Sequence, residues 1–326
     1  MTRRRTFIAL AAGVLEACGT RVSDGNRPVA SPPTIATARR DTDPHYFGTK
    51  GTGPGFFDGP VALTVRPDGT ILVVDAGNSR VQHVTPDGDA IGVIASPGSA
   101  TGQVQFPEGI ANGPVGSMVV SDGGNNRVQM LTADGLVRGI WGQSGAGPEA
   151  FAVPRGVVIS RAGIVYVADS RNHRIQRLTL DGRFLGPWGG PGTGPGEFDA
   201  PVGLALDASG NLAVADSGNH RIQLLDWHGR HIRTMGGIGN QPGQFRGPEG
   251  VLFDGQGRLV VADTSNDRIQ IFGYLDRADP VPSLVIGRRG KGVREFDEPI
   301  GLAINGRGEL LVSEFGNHRI QRVVIN

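Results

Sequence analysis

The sequence contains one cysteine in 326 residues, Cys18. A single thiol excludes an intramolecular disulfide framework and any cysteine-rich metal centre. There is no apolar run of about 18 residues, the length an ordinary transmembrane helix needs. Charge of one sign is also missing: 32 Lys and Arg stand against 31 Asp and Glu, for a formal net charge of +1. That balance disfavours nucleic-acid binding through a global field and leaves only local patches. No segment carries a long helical period. With 19% charged and 38% apolar residues, the chain is not a highly charged disordered polymer either. What it has in excess is glycine, 53 residues, with 22 prolines. Whether these are scattered or periodic decides between low complexity and repeated turns.

The first residues read as an export address. Arg3, Arg4 and Arg5 precede a short apolar stretch from Phe7 to Leu15, the order of a signal peptide. Arg4, Arg5, Thr6, Phe7 and Ile8 also resemble a twin-arginine pattern. Leu15, Glu16, Ala17 and Cys18 resemble a bacterial lipobox, whose cysteine is lipidated; Glu16 departs from the small or apolar residue usual there. The other reading is a plain cleavable signal with an incidental cysteine. Residues 18–43 are rich in Ser, Thr, Pro, Ala and Arg without apolar periodicity, as expected of a flexible tether. Removal of residues 1–17 leaves 29 basic and 30 acidic residues, so the slight basicity belongs to the leader.

From residue 44 to 326 one unit repeats six times. Asp75, Asn78, Arg80 and Gln82 recur as Asp122, Asn125, Arg127 and Gln129, then as Asp169, Asn172, Arg174 and Gln176. They return as Asp216, Asn219, Arg221 and Gln223, as Asp263, Asn266, Arg268 and Gln270, and as Glu314, Asn317, Arg319 and Gln321. The intervals are 47, 47, 47, 47 and 51 residues. A second marker, Phe followed shortly by Pro, places Pro60, Pro107, Pro154, Pro201, Pro248 and Pro299 at the same intervals. In the fourth copy, short apolar runs at 202–206, 212–215, 221–225 and 231–235 are separated by turn residues, predicting four antiparallel strands. Six such units predict an all-β, six-bladed propeller. The last copy stops after its third strand, and residues 45–57 match residues 186–198, which contain a fourth strand and a crossover. The N-terminal strand is therefore expected to complete the last blade and remove an exposed sheet edge.

The repeated Asp-x-x-Asn-x-Arg-Ile/Val-Gln resembles the NHL-repeat family across residues 44–326. The resemblance implies a six-bladed propeller. It leaves function open, because the family includes protein- and RNA-binding modules, extracytoplasmic sensor domains and a metal-dependent lyase.

Residues present in every blade are read as scaffold. Asp and Arg, five apart, are expected to pair across the second hairpin, with Asn taking the left-handed turn position. His173, His220 and His318 share one turn slot on three blades and are expected to lie apart, in structural or surface roles. His83, His228 and His231 show no convergent spacing. The first strand of each blade is expected to line the channel, with a ring of small residues at Ala62, Gly109, Gly156, Gly203, Gly250 and Gly301. No ring of Asp, Glu, Asn or His faces that level, so no catalytic residue, cofactor or metal is assigned.

Blade-specific residues carry the functional expectation. The residue after the blade proline varies as Val61, Glu108, Arg155, Val202, Glu249 and Ile300. Glu108 and Arg155 sit on adjacent blades and are expected to pair, with Glu249 further round the mouth. Arg171 and the basic crossover of Arg288, Arg289, Lys291 and Arg294 complete a candidate face for a protein or small-molecule ligand. The crossover lacks interleaved aromatic residues, which disfavours RNA. The expectation is an exported, lipid-anchored binding or sensing platform at the bacterial cell envelope, in periplasm or at the surface. The alternative is a lyase or hydrolase acting on a small molecule at the channel mouth. Anchoring has a direct measurement: Cys18→Ala should move the protein from the membrane to the soluble fraction, and continued membrane association would reject the lipobox.

Overall fold

The computed structural model describes residues 45–273, 275 and 280–325. The leader, Cys18 and the tether to residue 43 lie outside the described residues. Within them the chain is a six-bladed β-propeller. The fourth blade shows the pattern: Pro201–Leu206, Leu212–Asp216, Arg221–Leu225 and His231–Gly236 hydrogen-bond in that order, all antiparallel, from the axis outward. Helix among the described residues is confined to three-residue 3-10 turns.

The second strand of each blade is buried along its whole length except at the first residue of Ile164–Asp169. Both of its faces are covered, so it reads as a continuous apolar run rather than an alternating one. Each junction between blades holds its own core. Leu72 and Val74 of the first blade pack with Met118 and Val120 of the second. Val260 and Ile269 of the fifth blade likewise pack with Leu310 and Val312 of the sixth. Phe57, Phe151, Phe198, Phe245 and Phe296 are fully buried in the crossovers. In the second blade that place is taken by Val104, while Phe106, the sequence marker there, is 41% exposed.

The innermost strands approach so closely that a side chain does not fit between them. A Cβ on Gly109, Gly156, Gly203 or Gly250 would lie 2.4, 2.2, 2.1 or 1.9 Å from the carbonyl oxygen of Arg155, Val202, Glu249 or Ile300 on the next blade. The small-residue ring is thus the contact between neighbouring blades at the axis.

The first blade gains a fifth, parallel strand at Gln103–Val104, and the third blade falls short of the expected four. Its strands Pro154–Ile159, Ile164–Asp169 and Arg174–Thr179 form a three-stranded sheet. The outermost segment is held by isolated bridges at Phe184 and Trp188 and by the Leu185 N–H, which donates to the Arg177 carbonyl. The Arg177 guanidinium donates to the carbonyls of Leu185 and Gly186 while lying 4.5 Å from the Trp188 ring centroid.

Ring closure follows the sequence expectation. Tyr46–Phe47 pairs antiparallel with Arg319–Val323, Tyr46 opposite Gln321 and Phe47 opposite Ile320. Phe47 is 4% exposed and meets Phe57 edge-on at 6.4 Å. Arg319 and Arg322 stack over Tyr46 and Phe47 at 4.4 and 5.0 Å. So short a strand concentrates its contribution in one side chain. Phe47→Ala should cost about 3–5 kcal/mol in denaturant melts, and deletion of residues 44–50 should lower the melting temperature sharply. A small effect from both would mean that the ring does not depend on this strand.

Candidate functional site

Each repeat contributes a buried carboxylate. Asp75 is fully buried, and one of its oxygens accepts the Asp58 N–H at 2.7 Å. The other accepts from Asn78, Arg80 and Gln82. These donors then reach outward: Asn78 to the Gly51 carbonyl, Arg80 to those of Thr52, Gly53 and Phe56, and Gln82 to that of Phe56. The repeated residues therefore clamp the incoming crossover onto the second hairpin. The Asp–Arg pair is present at 2.7 Å in five blades, with Glu314 and Arg319 at 2.7 Å in the sixth. The pairing expected from the five-residue spacing is correct.

The role expected of Asn is not. The left-handed position belongs to the following residue, Ser79, Asn126, His173, His220, Asp267 or His318, with φ between 49° and 56°. The Asn is needed instead as a donor to the buried carboxylate. In all six blades the left-handed residue accepts the N–H of the residue before the next blade's proline. Phe106 donates to Ser79 Oγ, Val153 to Asn126 Oδ1 and Glu298 to Asp267 Oδ1. Ala200, Gly247 and Gly59 donate to Nδ1 of His173, His220 and His318, at 3.1, 3.0 and 3.0 Å. The three histidines thus tie three different junctions, as structural residues.

With the scaffold accounted for, one constellation remains at the axis. Arg155 Nε and Nη2 lie 3.0 and 2.9 Å from Glu108 Oε2, and Nη2 lies 3.0 Å from Glu249 Oε2. Its side chain is 18% exposed and the two carboxylates 11% each. The expected Glu108–Arg155 pair is therefore half of a triad, because Arg155 also reaches past the fourth blade to Glu249. The corresponding positions on the other blades are the buried Val61, Val202 and Ile300. Burial works against the charge of Arg155, but Glu108 and Glu249 outweigh it and raise its pKa above the ordinary arginine value. The guanidinium stays charged.

A local sequence signal accompanies the triad. The residue after the repeated acid is Ala76, Ser170, Ser217, Thr264 or Phe315 elsewhere, but Gly123 beside Glu108. A Cβ at Gly123 would stand 2.8 Å from the Phe106 carbonyl and 3.0 Å from Glu108 Cγ. The backbone of Arg155 is held as well, since Ser121 Oγ donates to its carbonyl.

The other candidates are not drawn into the triad. Arg171 is exposed on the same face, and its backbone N–H donates to the Ala152 carbonyl. Arg246, not singled out from sequence, is likewise exposed on the crossover into the fifth blade. Within the basic crossover, Arg288 pairs with Glu295 at 2.8 Å and Arg289 with Asp297 at 3.3 Å. Arg294 donates to the Val324 carbonyl, and the Lys291 carbonyl accepts from Arg319. This cluster is partly neutralised by its own acids. Among the described residues, no group of three or more His, Cys, Asp and Glu is placed to hold a metal ion.

The NHL-repeat family model matches residues 151–178, 198–223, 245–272 and 296–323. Each match opens at a buried crossover phenylalanine and ends in a third strand. No curated protein matches the sequence. Among solved structures, the fold is similar to a gluconolactonase from Xanthomonas campestris, with 16% identity, a TM-score of 0.62, and 90% of this chain and 99% of that one covered. It is also similar to a streptogramin B lyase, with 14% identity, a TM-score of 0.58, and coverage of 86% and 97%. A nidogen/laminin complex matches at 21% identity and a TM-score of 0.52, covering 68% and 80%. At these identities the likeness is one of fold.

The triad makes opposite forecasts for two kinds of variant. Arg155→Ala leaves two carboxylates buried without their partner and should cost about 3–5 kcal/mol. Replacing all three charges with aliphatic residues, Glu108→Leu, Arg155→Met and Glu249→Leu together, should leave stability unchanged or raise it by about 1–4 kcal/mol. Chemical denaturation of both variants reads this directly. A triple variant as unstable as Arg155→Ala would make the triad a stabilising element.

Proposed function

The chain carries NHL repeats folded into a six-bladed β-propeller, and from this premise we propose that it serves as a binding platform with its recognition centre at the Glu108–Arg155–Glu249 triad. The observation that carries the proposal is the triad's position. Three charges occupy ring positions that three other blades fill with Val61, Val202 and Ile300. Aliphatic residues close the axis without desolvating any charge, so stability does not call for the ion pairs. Charged groups held at a propeller mouth supply directional recognition for a protein or small-molecule ligand. Exposed Arg171 and the basic crossover extend the same face.

Catalysis at the mouth is the second reading, and the gluconolactonase and lyase neighbours share the fold. It is less well supported because both carboxylates there are engaged by Arg155, whereas acid–base work calls for a carboxyl group able to exchange its proton.

The proposal extends to location: an exported protein anchored at the cell envelope through Cys18. The described chain begins at His45, at the end of the closing strand away from the crossovers.

The test uses the aliphatic triple variant. Full-length wild type and variant are purified from membranes under native conditions, and co-purifying molecules are identified by mass spectrometry. A partner or ligand retained by wild type and lost from a variant of equal thermal stability supports the mouth as the recognition centre. Equal retention by both rejects it, and turnover of a small molecule abolished in the variant would favour the enzymatic reading.

A further inference from the structure

The three turn histidines differ in one respect that their common role hides. Each accepts a backbone N–H through Nδ1, which requires the neutral ring with its proton on Nε2. His173 Nδ1 also lies 3.2 Å from Asp199 Oδ1, and His318 Nδ1 lies 3.2 Å from Asp58 Oδ1. His220 has no such neighbour, because Arg246 stands where Asp58 and Asp199 stand at the other two junctions. Two of the three rings therefore have a second partner suited to their protonated form.

We propose that His173 and His318 are proton-operated latches, which hold the next blade's N–H when neutral and turn to Asp199 and Asp58 when protonated. On protonation Nδ1 loses its lone pair and becomes a donor. The Ala200 or Gly59 N–H loses its acceptor, while the imidazolium gains a carboxylate already within reach. His173 ties the third blade to the fourth, and His318 ties the sixth to the first. These junctions are three blades apart, so they face each other across the ring. The second lies beside the two-residue closing strand. Acid therefore loosens the propeller along one diameter, while Ser79, Asn126 and Asp267 hold three of the remaining junctions with oxygen acceptors.

The surroundings agree with this direction. Burial and Lys50 disfavour a charged His318, while Asp58, Asp75 and Asp297 favour it, and burial prevails, lowering its pKa. The latched form of His318 is thus stable above the ordinary imidazole range and is lost as pH falls below it. Asp199 faces His173, and its own N–H is held by Asp216 at 2.7 Å. Asp58 is held by Asp75 in the same way. The receiving carboxylates are therefore positioned before any proton arrives.

Amide exchange in the full-length protein tests the latch. The Gly59 and Ala200 amides are followed by NMR from pH 8 to pH 5 and normalised to Val153, which is held by Asn126. Their normalised exchange should rise as pH falls toward the histidine titration, by about tenfold for each pH unit, and level off below it. His173→Asn and His318→Asn, which copy the second blade's own solution, should abolish that rise. Asp58→Asn and Asp199→Asn should displace it to lower pH. The proposal is overturned if Gly59 and Ala200 track Val153 throughout, or if the His→Asn variants keep the acid response. An unchanged titration in the Asp→Asn variants would eliminate the hand-over to the carboxylates.

Discussion

A carboxylate with no access to water must have its lone pairs satisfied, and in this propeller that requirement organises each blade. Asp75, Asp122, Asp169, Asp216, Asp263 and Glu314 are all fully buried. Each takes a backbone N–H from the crossover and the side chains of the hairpin that follows. Burial pushes the pKa of Asp169 and Glu314 upward, and their hydrogen bonds to Asn and Arg pull the other way. The longer Glu314 fills the place less tightly: the Asp297 N–H reaches it at 3.3 Å, against 2.7 Å at the aspartates. Crossover, turn and hairpin thus form one unit around each acid.

The clamp grips main-chain carbonyls, which leaves the crossover side chains free to vary. The channel mouth varies in the same way. The glycine ring sets how closely the inner strands approach, and one residue from each blade then points to the axis. The scaffold thereby sets out six equivalent positions, and the chain places charge at three of them. Rigid repetition and local variation are separate layers, and the candidate site belongs to the second.

Much of the architecture was legible because it is local and repeated. The 47-residue interval, the strands of the fourth blade and the closing strand all stand where the pattern puts them. The errors arise where one position departs from its equivalents or where a turn residue has two possible roles. The third blade lacks the continuous outer strand that its neighbours form. Phe106 keeps the Phe–Pro marker, yet Val104 fills the core beneath it. Propensity points Asn to the left-handed turn, but the buried acid claims its side chain as a donor and the next residue takes that conformation. The sequence placed Glu108 beside Arg155 because 47 residues means the adjacent blade. It left Glu249 apart because a whole blade lies between its position and that of Arg155.

The amino-acid sequence alone was sufficient for the six-fold unit, the acid–arginine pair and the joining of the two ends. Each of these depends on spacing within a repeat, or on one fragment completing another. Only the tertiary structure decided that Arg155 and Glu249, 94 residues apart, meet at 3.0 Å. It also decided which two of the three turn histidines face a carboxylate. A closed ring turns rotation about its axis into distance across its mouth. That geometry follows from how tightly six innermost strands pack, not from the separation of two residues along the chain.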